Sequence, residues 1–173
     1  MADGAPVSRD DLRYERPRER DVGLRPWAER ATRSIVEAVF ARAGRDGEIA
    51  PPPDERVAWV CREIDDFLAR VSARTYAVVL VSLVAVIVLA PLRIGRFGSF
   101  AAMSLPDRNR SLERFERSAL SPALLAVKAL LSVHYYEHPD AAREVGYDGA
   151  CLLTPGAESR ARAPQAPSAE VSP

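Results

Sequence analysis

The residues with the most evident chemical potential in this chain are His134-Tyr135-Tyr136-Glu137-His138, an H-x-x-E-H pattern. On a helix, positions four apart share a face. Two imidazoles could then hold one zinc ion while the glutamate activates a water, the inverted zinc-peptidase arrangement. Two features of the surrounding sequence oppose that chemistry. Pro139 follows directly and disfavours helical geometry at His138, the second ligand. A catalytic zinc also needs a third protein ligand. The acids downstream are Asp140, Glu144, Asp148, Glu158 and Glu170, which are close neighbours of the motif or members of a loose tail. The simpler reading is a helix end carrying polar side chains, with no metal.

Other catalytic patterns are missing from the sequence. It contains no G-x-G-x-x-G, no G-x-x-x-x-G-K-[ST] and no G-x-S-x-G. Cys61 and Cys151 lie far apart and form no C-x-x-C pair, so neither a disulfide scaffold nor a cysteine zinc site is supported. Cys61 falls one residue off an apolar stripe, the place of a small packing residue rather than a nucleophile. Arg62 and Glu63 belong to a solvated face. We therefore expect a chain that is not itself an enzyme and holds no cofactor. Phe97, Phe100, Tyr135, Tyr136 and Tyr147 all fall at helix ends and loops, where large rings serve as core plugs or as interface anchors. Together they form the candidate partner interface.

These residues must be positioned by helices. Pro26 and Trp27 open a pattern in which Trp27, Ala31, Ile35, Val39 and Ala43 share a face, with Gly44 placed as a C-cap. A loop, GRDGEIAPPP, follows. Asp54 is placed as an N-cap, and Val57, Val60, Ile64, Phe67 and Val71 recur at spacings of three and four. This amphipathic helix continues into Ser72 and Arg74. Ser104 with Asp107 is a capping-box-like start for a short helix anchored by Leu105, Leu112 and Phe115. Ser121-Pro122 starts another, whose stripe is Leu124, Val127, Leu131 and Tyr135, flanked by Leu125 and Leu130. Pro139 breaks it, and a turn from Asp140 to Val145 ends at Gly146. No strand-turn-strand pattern is legible.

Thr75 to Leu92, TYAVVLVSLVAVIVLAPL, is eighteen residues without a charge, stopped by Arg74, Arg93 and Arg96. As a helix it would be about 27 Å long, close to the roughly 30 Å thickness of bilayer hydrocarbon. Its β-branched content suggests a strand, but it is too long for one, and Pro91 is placed as its end. It suits a membrane span or a helix surrounded by other helices, and length alone does not choose.

The whole is 173 residues, 47% apolar, enough for one domain with a core. Acidic and basic residues balance at 24 each, so no global field favours nucleic acid. The positive charge is nearly all arginine, Lys128 being the single lysine. The polar N-terminus has no apolar h-region and predicts no cleavable export signal. The expected fold is all-α, a compact bundle of about five helices around one long apolar helix at 75–92. The expected organisation is a flexible N-terminal tail at 1–23, a helical accessory domain at 24–150 and a disordered Ala/Pro-rich tail at 151–173.

The phrase FGSFAAMSLPDRNRSLERFERS, the helix ALLAVKALLSVHYYEHP and the ending EVGYDG, together about residues 97–148, resemble two related helical modules. One is the small third subunit of gluconate 2-dehydrogenase. The other is the helical region preceding the flavin domain of long-chain fatty alcohol oxidases. Both accompany flavoproteins of the glucose-methanol-choline oxidoreductase family. The segments ending IVEAVF and REIDDFLARV suit the front half of the same module. The resemblance implies a non-catalytic accessory or docking subunit for a flavin-dependent alcohol or sugar dehydrogenase or oxidase, with FAD on the partner flavoprotein. With the apolar run, the expected location is the membrane, and without it the cytoplasm. The alternatives are a single-pass membrane protein with no enzyme partner and, remotely, the zinc peptidase.

Overall fold

The computed structural model describes residues 19–21, 23–44 and 46–147, and the expectations for 1–18, for 151–173 and for Cys151 lie outside them. The described residues form six α-helices with almost no strand, which establishes the all-α class. Residues through Tyr135 make one unit and those from Tyr136 onward a second.

In the first unit, α1 spans Pro26–Val39, with Pro26 in the first turn where its missing N–H costs nothing. It ends at Phe40 rather than reaching Gly44 as the spacing predicted. The residues beyond form a small antiparallel hairpin instead of an irregular loop. Its strands are β1, Arg42–Ala43, and β2, Ile49–Ala50, with Arg42 opposite Ala50 and Ala43 opposite Ile49. The Gly44 N–H donates to the Glu48 carbonyl at 2.6 Å and closes the turn. Helix α2 spans Asp54–Arg70. Pro53, not Asp54, holds the cap position, and its carbonyl accepts from Arg56 and Val57. Asp54 and Glu55 instead place negative charge in the first turn, where the helix dipole favours it.

Helix α3, Ala73–Leu92, is not continuous with α2 as the sequence suggested. Val71 is extended (ψ 159°), and Ser72 starts a new helix by accepting the Thr75 N–H on its Oγ at 3.3 Å. Pro91 lies inside the last turn. Gly95, at φ 71°, lets the Arg96 N–H return to the Pro91 carbonyl at 3.1 Å and close the helix. A 3₁₀ turn at Phe100–Ala102 leads to α4, Leu105–Glu116, whose Ser104–Asp107 cap forms as predicted. Helix α5, Ser121–Glu137, buries Leu124, Val127, Leu131 and Tyr135, the stripe read from the sequence.

The core lies where α1 meets α2 and α4, around Ile35, Val36, Val57, Val60, Ile64, Leu68, Phe115 and Phe100. Arg108 clasps α4 to α1. Its guanidinium reaches Glu37 at 2.7 Å and the Ser34 carbonyl at 3.1 Å, while its Nε donates to the Met103 carbonyl. Glu19, Arg20, Gly23 and Leu24, expected within or beside a flexible tail, are tied to the end of α2. The N–H groups of Glu19 and Arg20 donate to the Ala69 carbonyl, and those of Gly23 and Leu24 to the Asp65 carboxylate at 3.0 and 2.7 Å. Gly23 is required there, because a Cβ would lie 1.9 Å from the Asp65 carbonyl oxygen.

The second unit holds α6, Pro139–Glu144. His138 is extended (ψ 127°) and caps this helix, its Nδ1 accepting the Asp140 N–H at 3.3 Å. The break at Pro139 is as the sequence predicted.

Candidate interaction surface on the apolar helix

Helix α3 is apolar all round, yet among the described residues only one side of it is buried. Ser82, Leu83, Val86, Ala90 and Pro91 are buried, all from the middle of the helix to its carboxyl end, and α3 packs on α1, the 3₁₀ turn and α4. Val78, Val81, Val84, Val88 and Leu92 are 42–68% exposed. At 100° per residue these five fall within one arc, opposite Leu83, Val86 and Ala90. Only 22% of the most apolar window of α3 is buried. A helix enclosed by its own chain would hide far more. A bare, contiguous apolar face of this kind marks a surface that something else covers.

The bare face runs into a groove of about 430 Å³ at the carboxyl end of α3, shared with the start of α1. Trp27, Ile87, Val88, Leu92 and Phe97 supply its apolar wall, and Arg30 is its charged member. Trp27 belongs to this rim rather than to the buried side of α1, where the sequence placed it. Beyond the groove, Arg96 and Arg110 converge on Asp107 at 2.9 and 3.7 Å, and Arg114 donates to the Arg93 carbonyl at 3.3 Å. At the other end of α3, the Arg20 guanidinium stacks over the Tyr76 ring, 4.5 Å from its centroid. The same side chain donates to the Val71 carbonyl at 2.7 Å, closing the end of α2.

The five aromatic candidates do not form one patch. Phe97 is 92% exposed and lines the groove. Phe100 lines it too, but as a buried plug. Tyr135 is buried and stacks on Phe40, ring centroids 3.9 Å apart and planes 3° from parallel, with its hydroxyl 3.4 Å from Arg56 Nη1. Phe100 and Tyr135 are therefore core residues, not interface anchors, because each side chain is enclosed where its element meets the core. Tyr136 and Tyr147 are partly exposed residues of the second unit. Trp27 and the bare valines of α3 were missed by the sequence reading. The spacing of α1 puts Trp27 on its core face, and an all-apolar helix carries no sign of which side is covered.

The H-x-x-E-H pattern does not survive as one helical face. Helix α5 ends at Glu137 and His138 turns away as the cap of α6, so the four-residue spacing no longer stacks two imidazoles. The His134 carbonyl accepts from Trp59 Nε1 at 3.2 Å, and its ring packs 5.8 Å from that of Phe67. Cys61 is buried, and burial pushes its thiol up from 9.0 to about 11, with Arg33 opposing the shift. A thiol held protonated in this way is a packing group, as its place beside the stripe suggested.

Comparison with protein-family models, with curated proteins and with solved structures finds no match to this chain. None of the three links residues 97–148 to the gluconate dehydrogenase subunit or to the alcohol oxidase module.

Proposed function

We propose that the chain is a non-catalytic, membrane-associated helical protein in which the bare face of α3 makes the lipid contact. One observation carries this reading: the valine face of α3 is exposed along the helix while the opposite face is docked on protein. Moving five half-exposed valine and leucine side chains out of water, at about 1 kcal/mol each, gives on the order of 5 kcal/mol, enough to hold a protein at a membrane surface.

The folded unit favours a face-on arrangement over a crossing. At about 1.5 Å per residue, α3 is long enough to cross hydrocarbon. It packs, however, on α4, whose outer positions include Arg110, Glu113, Arg114 and Glu116. Each such charge costs about 2.5–3.5 kcal/mol at the middle of a bilayer. Lying along the interface keeps the charges of α4 out of the hydrocarbon and α3 against acyl chains. The polar side that an interfacial helix normally carries itself is supplied here by the rest of the unit. Flotation with lipid vesicles tests this. The wild-type chain is expected to rise with the vesicles, and Val81→Asp/Val88→Asp, altering only exposed positions, is expected to remain behind.

The more specific form of the proposal is an accessory protein for a flavin-dependent alcohol or sugar oxidoreductase, with FAD on the partner. It is supported by the resemblance of residues 97–148 and by the exposed Phe97 at the edge of the groove. Affinity purification from the native source should then bring down a yellow flavoprotein with dehydrogenase or oxidase activity. Recovery of the chain free of any flavoprotein would end this form and leave the membrane contact standing.

A further inference from the structure

The membrane contact proposed above leaves the lipid unspecified, and the carboxyl end of α3 supplies a preference. Arg110, Arg114 and Arg117 follow one another at spacings of four and three, so they form a single exposed stripe along α4. The bond from Arg114 to the Arg93 carbonyl and the bridge from Arg96 to Asp107 place this stripe at the end of α3, beside Leu92 and Phe97. Asp107 is 16% exposed beneath two guanidiniums that are 61% and 63% exposed, and Glu113, three residues from Arg110 and four from Arg117, is exposed at the edge of the stripe. The exposed arginines here, Arg93, Arg96, Arg110, Arg114 and Arg117, outnumber the acids beside them. Glu116 pairs with Lys128. Arg96, Arg110 and Arg114 thus gather at the end of the apolar helix, with Arg93 and Arg117 next to them in sequence, in a chain whose overall charge is zero.

We infer that this end of the molecule binds anionic lipid headgroups, with the arginines on phosphate oxygens and Phe97, Leu92 and Val88 entering the acyl region beside them. Arginine suits the role because its planar fork of donors matches phosphate oxygens two at a time. Charge complementarity chooses the occupant. A neutral bilayer or a second copy of the chain would use the valine face and leave the arginines without a counterpart. An anionic leaflet uses both at once.

The inference rests on the α3 membrane contact, and vesicle partitioning of the full-length chain separates the two. Vesicles of phosphatidylcholine alone are compared with vesicles that also contain phosphatidylglycerol. The wild type is expected to bind the anionic vesicles more tightly, and raised salt should remove the difference. Each arginine near an anionic surface contributes roughly fivefold, so Arg110→Ala/Arg114→Ala should lose about 25-fold on anionic vesicles and nothing on neutral ones. Equal wild-type binding to both vesicle types would overturn the headgroup site while leaving the α3 contact intact. Failure to bind either type, with the chain instead self-associating, would overturn both. If the double variant lost its fold, the salt dependence of the wild type would decide alone.

Discussion

Helices α2 and α3 follow one another in the chain, with 17 and 20 residues, and they bury themselves by different rules. In α2 the apolar positions are spaced so that one side enters the core and the other carries Arg62 and the acids; Val57, Val60 and Ile64 are buried as spaced, while Leu68 and Ala69 replace Phe67 and Val71 at the carboxyl end. In α3 nearly every position is apolar, yet half the circumference is bare. Burial in α2 is written into the residue types. Burial in α3 is decided by what happens to be packed beside it, so composition states that α3 needs covering without saying on which side or by what. The difference teaches that an all-apolar helix need not be a core helix, and that an interaction face can be hidden in a sequence with no amphipathic signal.

The contrast predicts different responses to substitution. Ile64→Ala, on the core side of α2, should cost about 2–5 kcal/mol through lost transfer energy and the cavity it leaves, read as a shift in the urea midpoint. A smaller loss of that kind would mean that the core of α2 is no better packed than the bare side of α3. Alkaline pH probes the same interface through Cys61. The unfolded thiol ionises near 9.0 and the folded one near 11, so between those values the unfolded chain sheds a proton that the folded chain retains. Stability is full below about pH 9 and falls by about 3 kcal/mol as pH rises to about 11. In a Cys151→Ser background, Cys61→Ala should show none of that component in a comparison of denaturation at successive pH values.

Gly23→Ala should cost about 1–3 kcal/mol, because the new methyl group collides with the α2 backbone and displaces the Asp65 contacts. Amide exchange at Leu24 would register the release of the segment. The smallest effect on stability belongs to α3: Val81→Asp and Val88→Asp, at exposed positions, should change the unfolding free energy by less than about 0.5 kcal/mol in water. A large loss there would mean that the valine face is covered by the chain itself.

Much of this architecture is legible where residue type and spacing do one job. The stripe of α5, the Ser104 cap and the break at Pro139 all depend on neighbours within a few positions, and each is where the sequence puts it. The hairpin at 42–50 is not legible, since its two-residue strands are too short to show alternation. The separation of α2 from α3 had a local signal in Ser72 and Thr75, but the unbroken run of apolar residues on either side obscured it. The anchoring of Gly23 and Leu24 depends on Asp65, and that of Glu19 and Arg20 on the Ala69 carbonyl, each more than forty positions away, and no local pattern reports such contacts. The interface is the least legible part. Phe100 and Tyr135 resemble anchors by their place near element ends and turn out to be enclosed, while Trp27 resembles a core residue and lines the groove.

The central claim, that the exposed side of α3 is a lipid contact, is tested most directly by vesicle flotation of the wild type beside Val81→Asp/Val88→Asp, with thermal unfolding of both recorded in the same buffer. The account predicts that the two unfold alike and that only the wild type floats. Equal behaviour of both on the gradient, whether both float or both sediment, would contradict it.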